Sequence, residues 1–106
     1  MKTVSYRPQA LLDLLESATY LSVEASEQIS CAFQDAVQET ADTLARMPAI
    51  GAQCAFLHPY LKEVRRIPVT GFENWLLFYR VDQNLIDVIR VLHGARDIAA
   101  IFDEKA

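Results

Sequence analysis

The sequence predicts a single α+β domain over residues 1–106, in which a helical hairpin covers one face of a small, mainly antiparallel sheet. Two observations predict this class. Apolar residues recur every three or four positions in the first half of the chain, as in amphipathic helices, and then alternate or run together in the second half, as in strands. With 106 residues, 52% of them hydrophobic, the chain can bury one core and is too apolar for a disordered segment.

The first half is predicted to form one strand and two helices. Residues 2–6 are mixed in character and suit a strand that enters a sheet. A helix is expected from Pro8 to Val23, because the missing N–H of a proline has no partner in a first turn. A second helix is expected from Ile29 to Met47, where Pro48 ends it, and its apolar stripe consists of Ile29, Phe33, Ala36, Val37, Thr40, Leu44 and Met47. The short connection between these helices makes them an antiparallel hairpin.

The first helix carries apolar residues in two directions. One stripe is expected to face the core of the domain, and it consists of Leu11, Leu14, Leu15, Ala18 and Ser22. A second, narrower stripe lies about 100° round the helix and consists of Leu12, Thr19 and Val23. We expect this second stripe to contact a neighbour.

Three strands are predicted after residue 62, where the period changes to two. They are Val64–Val69, Asn74–Val81 and Ile86–His93, and a meander is the simplest connection between them. Pro68 is expected beside an interruption of the pairing or at a position where no donor is needed, because proline cannot donate to a ladder. The segment from residue 49 to residue 60 has no periodicity and is predicted to be a loop. A short helix is expected from residue 95 to residue 102, with Asp97 as its cap.

An even turn between the last two strands would place Arg80 opposite Asp87, as a cross-strand ion pair, and Tyr79 opposite Val88. Residues directly opposite one another share a face of the sheet. The face expected to lie under the helices carries Trp75, Leu77, Tyr79, Val81, Ile86, Val88, Arg90 and Leu92. The other face is expected to stay open and carries Leu76, Phe78, Arg80, Asp87, Ile89, Val91 and His93.

Charge and composition narrow the range of partners. The formal charge is −4, and a basic excess occurs only between Lys62 and Arg96, which is a weak signal for nucleic-acid binding. No apolar run approaches the roughly 18 residues of a membrane span, and the N-terminus does not resemble a secretory signal. We therefore expect a cytoplasmic protein with reduced cysteines. Cys54 and His58 have no second pair of ligands, so neither a metal nor a cofactor is expected.

Three motifs carry a resemblance to a known family. They are R-x-x-P-V at Arg65–Val69, L-L-F-Y-R-V at Leu76–Val81 and R-V-L-H-G-A-R-D at Arg90–Asp97, and the last is the strongest signal. Together with S-Y-R-P-Q-A-L-L-D-L-L-E at Ser5–Glu16, they resemble the ParE branch of the RelE/ParE toxin superfamily. This resemblance implies the fold predicted above. It also implies a toxin of a bacterial type II toxin–antitoxin pair, one that poisons DNA gyrase.

The resemblance also bears on catalysis. In the RelE branch, which cleaves messenger RNA on the ribosome, an arginine early in the third strand, an arginine after the last strand and a tyrosine in the final helix carry the reaction. Leu76, Arg96 and Phe102 stand at these positions here. A leucine cannot neutralise a phosphate and a phenylalanine cannot transfer a proton. The expectation is a non-catalytic toxin; the alternatives are a ribosome-dependent endoribonuclease and an antitoxin-binding module that has lost its toxicity.

The resemblance implies two protein partners, a cognate ParD-like antitoxin and DNA gyrase, within a toxin–antitoxin hetero-oligomer. Neither a membrane nor sequence-specific nucleic-acid binding by the toxin alone is expected. The candidates for antitoxin contact are apolar: Leu12, Thr19, Val23, Leu76, Phe78 and Ile89. The candidates for target contact are basic: Arg65, Arg66, Arg80, Arg90, His93 and Arg96. Structural roles stay open for the basic residues, including a local hydrogen bond for His93 and a sheet-edge contact for Arg90.

Overall fold

The computed structural model describes residues 2–56 and 59–103, and the order of its elements confirms the predicted class. A strand and a helical hairpin come first, and a meander with a short final helix follows. The elements are β1 (Thr3–Tyr6), α1 (Pro8–Glu24), α2 (Glu27–Arg46), β2 (Ala52–Gln53), a single 3-10 turn (Pro59–Leu61), β3 (Arg65–Val69), β4 (Phe72–Asp82), β5 (Leu85–His93) and α3 (Ile98–Asp103). None of the helices in these described ranges is long and apolar enough to cross a membrane.

The sheet has five strands in the order β1-β5-β4-β3-β2. β1 runs parallel to β5, because the helical hairpin carries the chain across the sheet between them, and the other neighbouring pairs are antiparallel. The prediction missed β2, which lies within the segment expected to be a loop. Its two residues pair only with Arg65 and Arg66, so it is too short to show a period of two.

The β4–β5 hairpin confirms the predicted register near its turn and departs from it further along. Arg80 pairs with Asp87 and Tyr79 with Val88 across the two-residue turn. Phe78 then pairs with Arg90, because a bulge at Ile89 shifts the register. Beyond the bulge the two faces of β5 are exchanged relative to the prediction. Val91 therefore packs in the core under the helices, and Leu92 packs on the other side of the sheet. The predicted interruption at Pro68 is confirmed, since the β3–β4 register also shifts there.

The inner side of α2 follows the prediction. Ser26 begins this helix by accepting a hydrogen bond from the Ile29 N–H at 3.1 Å. The buried residues of the helix include the predicted Phe33, Ala36, Val37, Thr40 and Leu44. Ile29 and Met47, which stand at the two ends of the predicted stripe, are exposed.

The prediction for α1 is wrong in its rotation about the helix axis. Of the stripe expected to face the core, Leu11 and Leu15 are exposed and Leu14, Ala18 and Ser22 are half-buried, whereas the buried residues of the helix are Ala10, Asp13 and Leu21. The small Ala10 lets the helix approach the sheet closely, and Asp13 binds an arginine of β5. These two contacts turn the leucine-rich side of α1 away from the core.

The far face of the sheet, which was expected to be open, is covered by α3 and by the segment before β3. The cluster under this cover contains Val64, Phe78, Ile89, Leu92 and Phe102. The Phe102 ring stacks on Phe56, with their centroids 4.4 Å apart, and also lies 4.9 Å from Phe78. The predicted cap of α3 is confirmed, because Asp97 Oδ1 accepts a hydrogen bond from the Ala100 N–H at 3.2 Å.

Candidate functional site

A buried ion pair joins α1 to the last strand. Asp13 accepts hydrogen bonds from Arg90 Nε at 2.8 Å, from Arg90 Nη2 at 3.0 Å and from the Val91 backbone N–H at 3.0 Å. β1 pairs with β5 only as far as Val88, so Asp13 satisfies a backbone donor on the edge that β1 leaves uncovered. The sheet-edge position predicted for Arg90 is therefore confirmed. The role of Asp13 was not predicted from the sequence. The signal that could have indicated it is the position of this acid on the same side of the helix as Ala10 and Leu21.

An open groove of about 440 Å³ lies beside this ion pair, between α1 and the end of β5. Its apolar floor includes Trp75, whose indole Nε1–H donates to Ser17 Oγ at 3.1 Å. The His93 ring meets the Trp75 ring edge to face, with a centroid separation of 4.7 Å. The residues that line it include Glu16, Ser17, Tyr20, Trp75, His93 and Arg96.

His93 and Arg96 form the basic end of this groove. His93 Nδ1 accepts a hydrogen bond from the Ala95 N–H at 3.0 Å, which is the local hydrogen bond that the sequence predicts. Because Nδ1 is an acceptor, the proton of the neutral ring is on Nε2, which is then the donor nitrogen of the side chain. Arg96 is exposed and makes no ion pair within the part of the chain that the structure describes. Its guanidinium is therefore available to a ligand in the groove.

The ion pair predicted between Arg80 and Asp87 is wrong. Asp87 instead binds Arg7, with Nη2 at 2.8 Å from Oδ2 and Nε at 3.1 Å from Oδ1. The hydrogen bonds to Asp87 raise the pKa of the Arg7 guanidinium further above its usual value. Arg80 is left with Glu63 at 3.8 Å, which is a loose, exposed contact. Arg7, which precedes α1, binds Asp87 in place of Arg80 because two of its guanidinium nitrogens face the carboxylate side by side.

The remaining arginine candidates lie away from the groove, on β3. Arg65 Nη1 donates to the Gly51 carbonyl at 2.7 Å and to the Ala49 carbonyl at 3.2 Å, so it holds the loop before β2. Arg66 is exposed, and no acidic partner is found for it among the described residues. The structure thus brings His93 and Arg96 together in the lining of the groove, places Arg90 on Asp13 beside it, and leaves the other three candidates apart.

A second candidate surface lies on α1, on the side opposite the core. We define the outer stripe by its residues Leu11, Leu12, Leu15, Thr19 and Val23. Its apolar members keep 54% (Leu11), 49% (Leu12), 64% (Leu15) and 74% (Val23) of their surface exposed, and Thr19 is exposed as well. Solvent-facing apolar residues in one continuous row are typical of a surface that a partner covers.

The antitoxin candidates on the sheet are placed differently. Leu76 is half-buried, and Phe78 and Ile89 are buried beneath α3, so these three do not form an open surface. Leu76 and Phe102 belong to one apolar cluster. Phe102 is buried in this cluster, and the half-buried Leu76 packs against it.

Two titratable groups lie near β2, the buried Tyr79 and the half-buried Cys54. Tyr79 Oη accepts from the Gly51 N–H and donates to the Pro48 carbonyl, both at 2.8 Å, and burial raises the pKa of the phenol. Burial also raises the pKa of the Cys54 thiol. His58 lies outside the described residues, and within them no three His, Cys, Asp or Glu side chains could hold a metal ion together.

Comparisons with known proteins agree with this architecture. The model of the family described as "ParE toxin of type II toxin-antitoxin system, parDE" matches residues 4–98. A solved structure titled "Chromosomal ParDE TA system from P. aeruginosa" has a similar fold, with a TM-score of 0.71, 17% sequence identity and coverage of 88% of this chain and 96% of that one. No curated protein matches. Because the family model spans most of the sequence, the chain belongs to the ParE toxin family of type II toxin–antitoxin systems.

Proposed function

We propose that this toxin acts in the cytoplasm by binding DNA gyrase without catalysing a reaction, and that a cognate ParD-like antitoxin neutralises it in a hetero-oligomer. The observation that supports the non-catalytic part is that Phe102 is buried in the cluster on the far face of the sheet and the half-buried Leu76 packs against that cluster. Cleavage of RNA without a metal needs groups that stabilise phosphorane charge and transfer protons, and neither side chain can do so. Inhibition by binding needs only a complementary surface.

We propose that the antitoxin and the target contact different surfaces of the toxin. We assign the antitoxin to the outer stripe, through Leu12, Thr19 and Val23, because an amphipathic helix of a partner could bury these side chains. Phe78 and Ile89 are set aside, since α3 already covers them.

For target contact we retain Arg66, His93 and Arg96. The guanidinium groups of Arg66 and Arg96 are exposed without an acidic partner among the residues described. Arg65 and Arg90 instead donate their hydrogen bonds to groups within the protein. A target that approached them would first have to break those contacts.

A gyrase assay with purified toxin tests the target. Supercoiling should be inhibited, and linear DNA should accumulate only when gyrase is present. Arg96→Gln should weaken the effect, whereas Arg46→Gln, which changes an exposed arginine at the far end of α2, should not. Cuts at codon positions in ribosome-bound message would overturn the proposal in favour of the endoribonuclease. Inactivity in both assays, together with harmless expression, would overturn it in favour of a module that only binds antitoxin.

A further inference from the structure

The groove between α1 and the end of β5 has an apolar body and donors at one end. We propose that it binds a protein segment in which an aromatic side chain is followed by an acidic one, as in the dipeptide Phe-Glu. This inference deepens the proposed function by naming the chemistry of the bound segment. It rests on that function only for the identity of the protein that carries the segment.

The apolar part of the groove suits an aromatic ring. Tyr20 and Trp75 supply its aromatic side chains, because Val91 and Leu92, which also line it, are buried in the clusters on the two sides of the sheet. The one polar atom of the Trp75 side chain already donates to Ser17, so the indole has no unmet hydrogen bond to offer a ligand. The volume of about 440 Å³ lies within the range of roughly 300 to 1,000 Å³ that is usual for ligand pockets. That volume admits a phenylalanine ring with a neighbouring short polar side chain.

The charges around the groove select an anion at one end. Arg96 lines the groove without an acidic partner among the described residues, and His93 has Nε2–H as its donor. Arg90 adds no free charge there, because Asp13 neutralises it. Glu16 stands on the α1 wall and repels an anion from that side. A carboxylate is therefore expected beside the β5–α3 turn, with the aromatic ring over Trp75, which sets the direction of the bound segment.

A protein segment fits this groove better than a nucleic acid. Phosphate binding usually relies on several cations, whereas the lining here holds one arginine and one histidine together with the acidic Glu16. A single carboxylate needs only the one guanidinium, and the apolar floor supplies the remaining contact.

The test uses the only tryptophan of the chain as its reporter. The intact toxin is titrated with the blocked dipeptides acetyl-Phe-Glu-amide and acetyl-Phe-Gln-amide while the Trp75 indole N–H resonance is followed by NMR. The glutamate peptide should shift this resonance saturably, with a dissociation constant on the order of 1 mM as expected for so small a ligand. The glutamine peptide should bind roughly tenfold more weakly, because it lacks the charge-assisted hydrogen bond.

Three variants locate the carboxylate. Arg96→Gln should reduce binding of the glutamate peptide to the level of the glutamine peptide, and Arg46→Gln should leave both affinities unchanged. Glu16→Gln should tighten binding of the glutamate peptide, because it removes the repulsion from the α1 wall. The unliganded indole resonance reports in every variant whether the fold is intact.

The inference is overturned by equal affinities for the two peptides, by an unmoved indole resonance, or by Arg96→Gln binding like the unchanged chain. Tighter binding of adenosine monophosphate than of the glutamate peptide would also overturn it and would point to a nucleotide. These results are independent of the gyrase assay. A toxin that poisons gyrase but ignores the peptides would refute only the groove chemistry, and one that binds them without affecting gyrase would refute only the target.

Discussion

Removing the Asp13 carboxylate should destabilise the protein far more than removing any exposed acid. The side chain is 2% exposed and holds Arg90, itself 18% exposed, as well as the Val91 N–H. Asp13→Ala leaves a largely buried guanidinium without its counter-charge and a backbone donor without a partner. Breaking a buried pair in this way costs about 3 to 5 kcal/mol. Because small domains have a free energy of unfolding of about 5 to 15 kcal/mol, the loss is a large part of the total.

Two further variants serve as controls for this prediction. Asp87→Ala removes the other bidentate carboxylate, but that pair is 47% and 24% exposed, so about 0 to 1 kcal/mol should be lost. The double variant Asp13→Leu with Arg90→Met removes both charges and fills similar volume, so it should recover the part of the loss that comes from the unpaired guanidinium, while the Val91 N–H stays without its partner. Urea unfolding followed by circular dichroism measures all three. The reasoning is refuted if Asp13→Ala and Asp87→Ala cost the same, because α1 would then be held by apolar contacts alone.

Three further predictions concern other parts of the structure. Gly51→Ala should lower the free energy of unfolding by about 1 to 3 kcal/mol in urea, because the new Cβ would lie 2.5 Å from Tyr79 Oη; an unchanged midpoint would contradict this. The raised pKa of Tyr79 means that its contribution to stability is fully present below about pH 10, the pKa of the unfolded side chain, and is lost as the pH rises through the folded pKa. Tyr79→Phe should therefore be less stable at neutral pH by about 1 to 3 kcal/mol and should lose less stability above pH 10, and a parallel pH profile would be evidence against it. Leu12→Glu should weaken antitoxin binding in calorimetry with the fold intact, whereas Val81→Glu, at another exposed apolar position, should bind normally; equal affinities would remove the outer stripe as the antitoxin surface.

The order of the elements was predictable because helical and strand periods are local properties. The stripe of α2 from Phe33 to Leu44 has one apolar side, so its buried face could be predicted as well. On α1 the apolar residues occupy most of the circumference, and a pattern of this kind does not say which side is buried. The core side was therefore predicted wrongly, and with it the exposure of Leu11 and Leu15.

The β4–β5 register was likewise predicted correctly only in part. A two-residue turn determines the pairing close to it, so Arg80 and Asp87 were placed correctly. No local feature of the strand marked the bulge at Ile89, which reverses the faces of the residues that follow. The ion pairing of Asp87 was missed for another reason, since its partner Arg7 comes from the opposite end of the chain.

By itself the sequence determined the α+β order of this protein, its family motifs and the apolar or basic nature of its candidate surfaces, because these follow from residues close together in the chain. Only the tertiary structure decided which surfaces are open. Contacts between distant residues set this outcome, such as Asp13 with Arg90, which are 77 positions apart and fix the rotation of α1. In the same way, the packing of Phe102 on Phe78 covers the far face of the sheet. The groove and the outer stripe remain exposed.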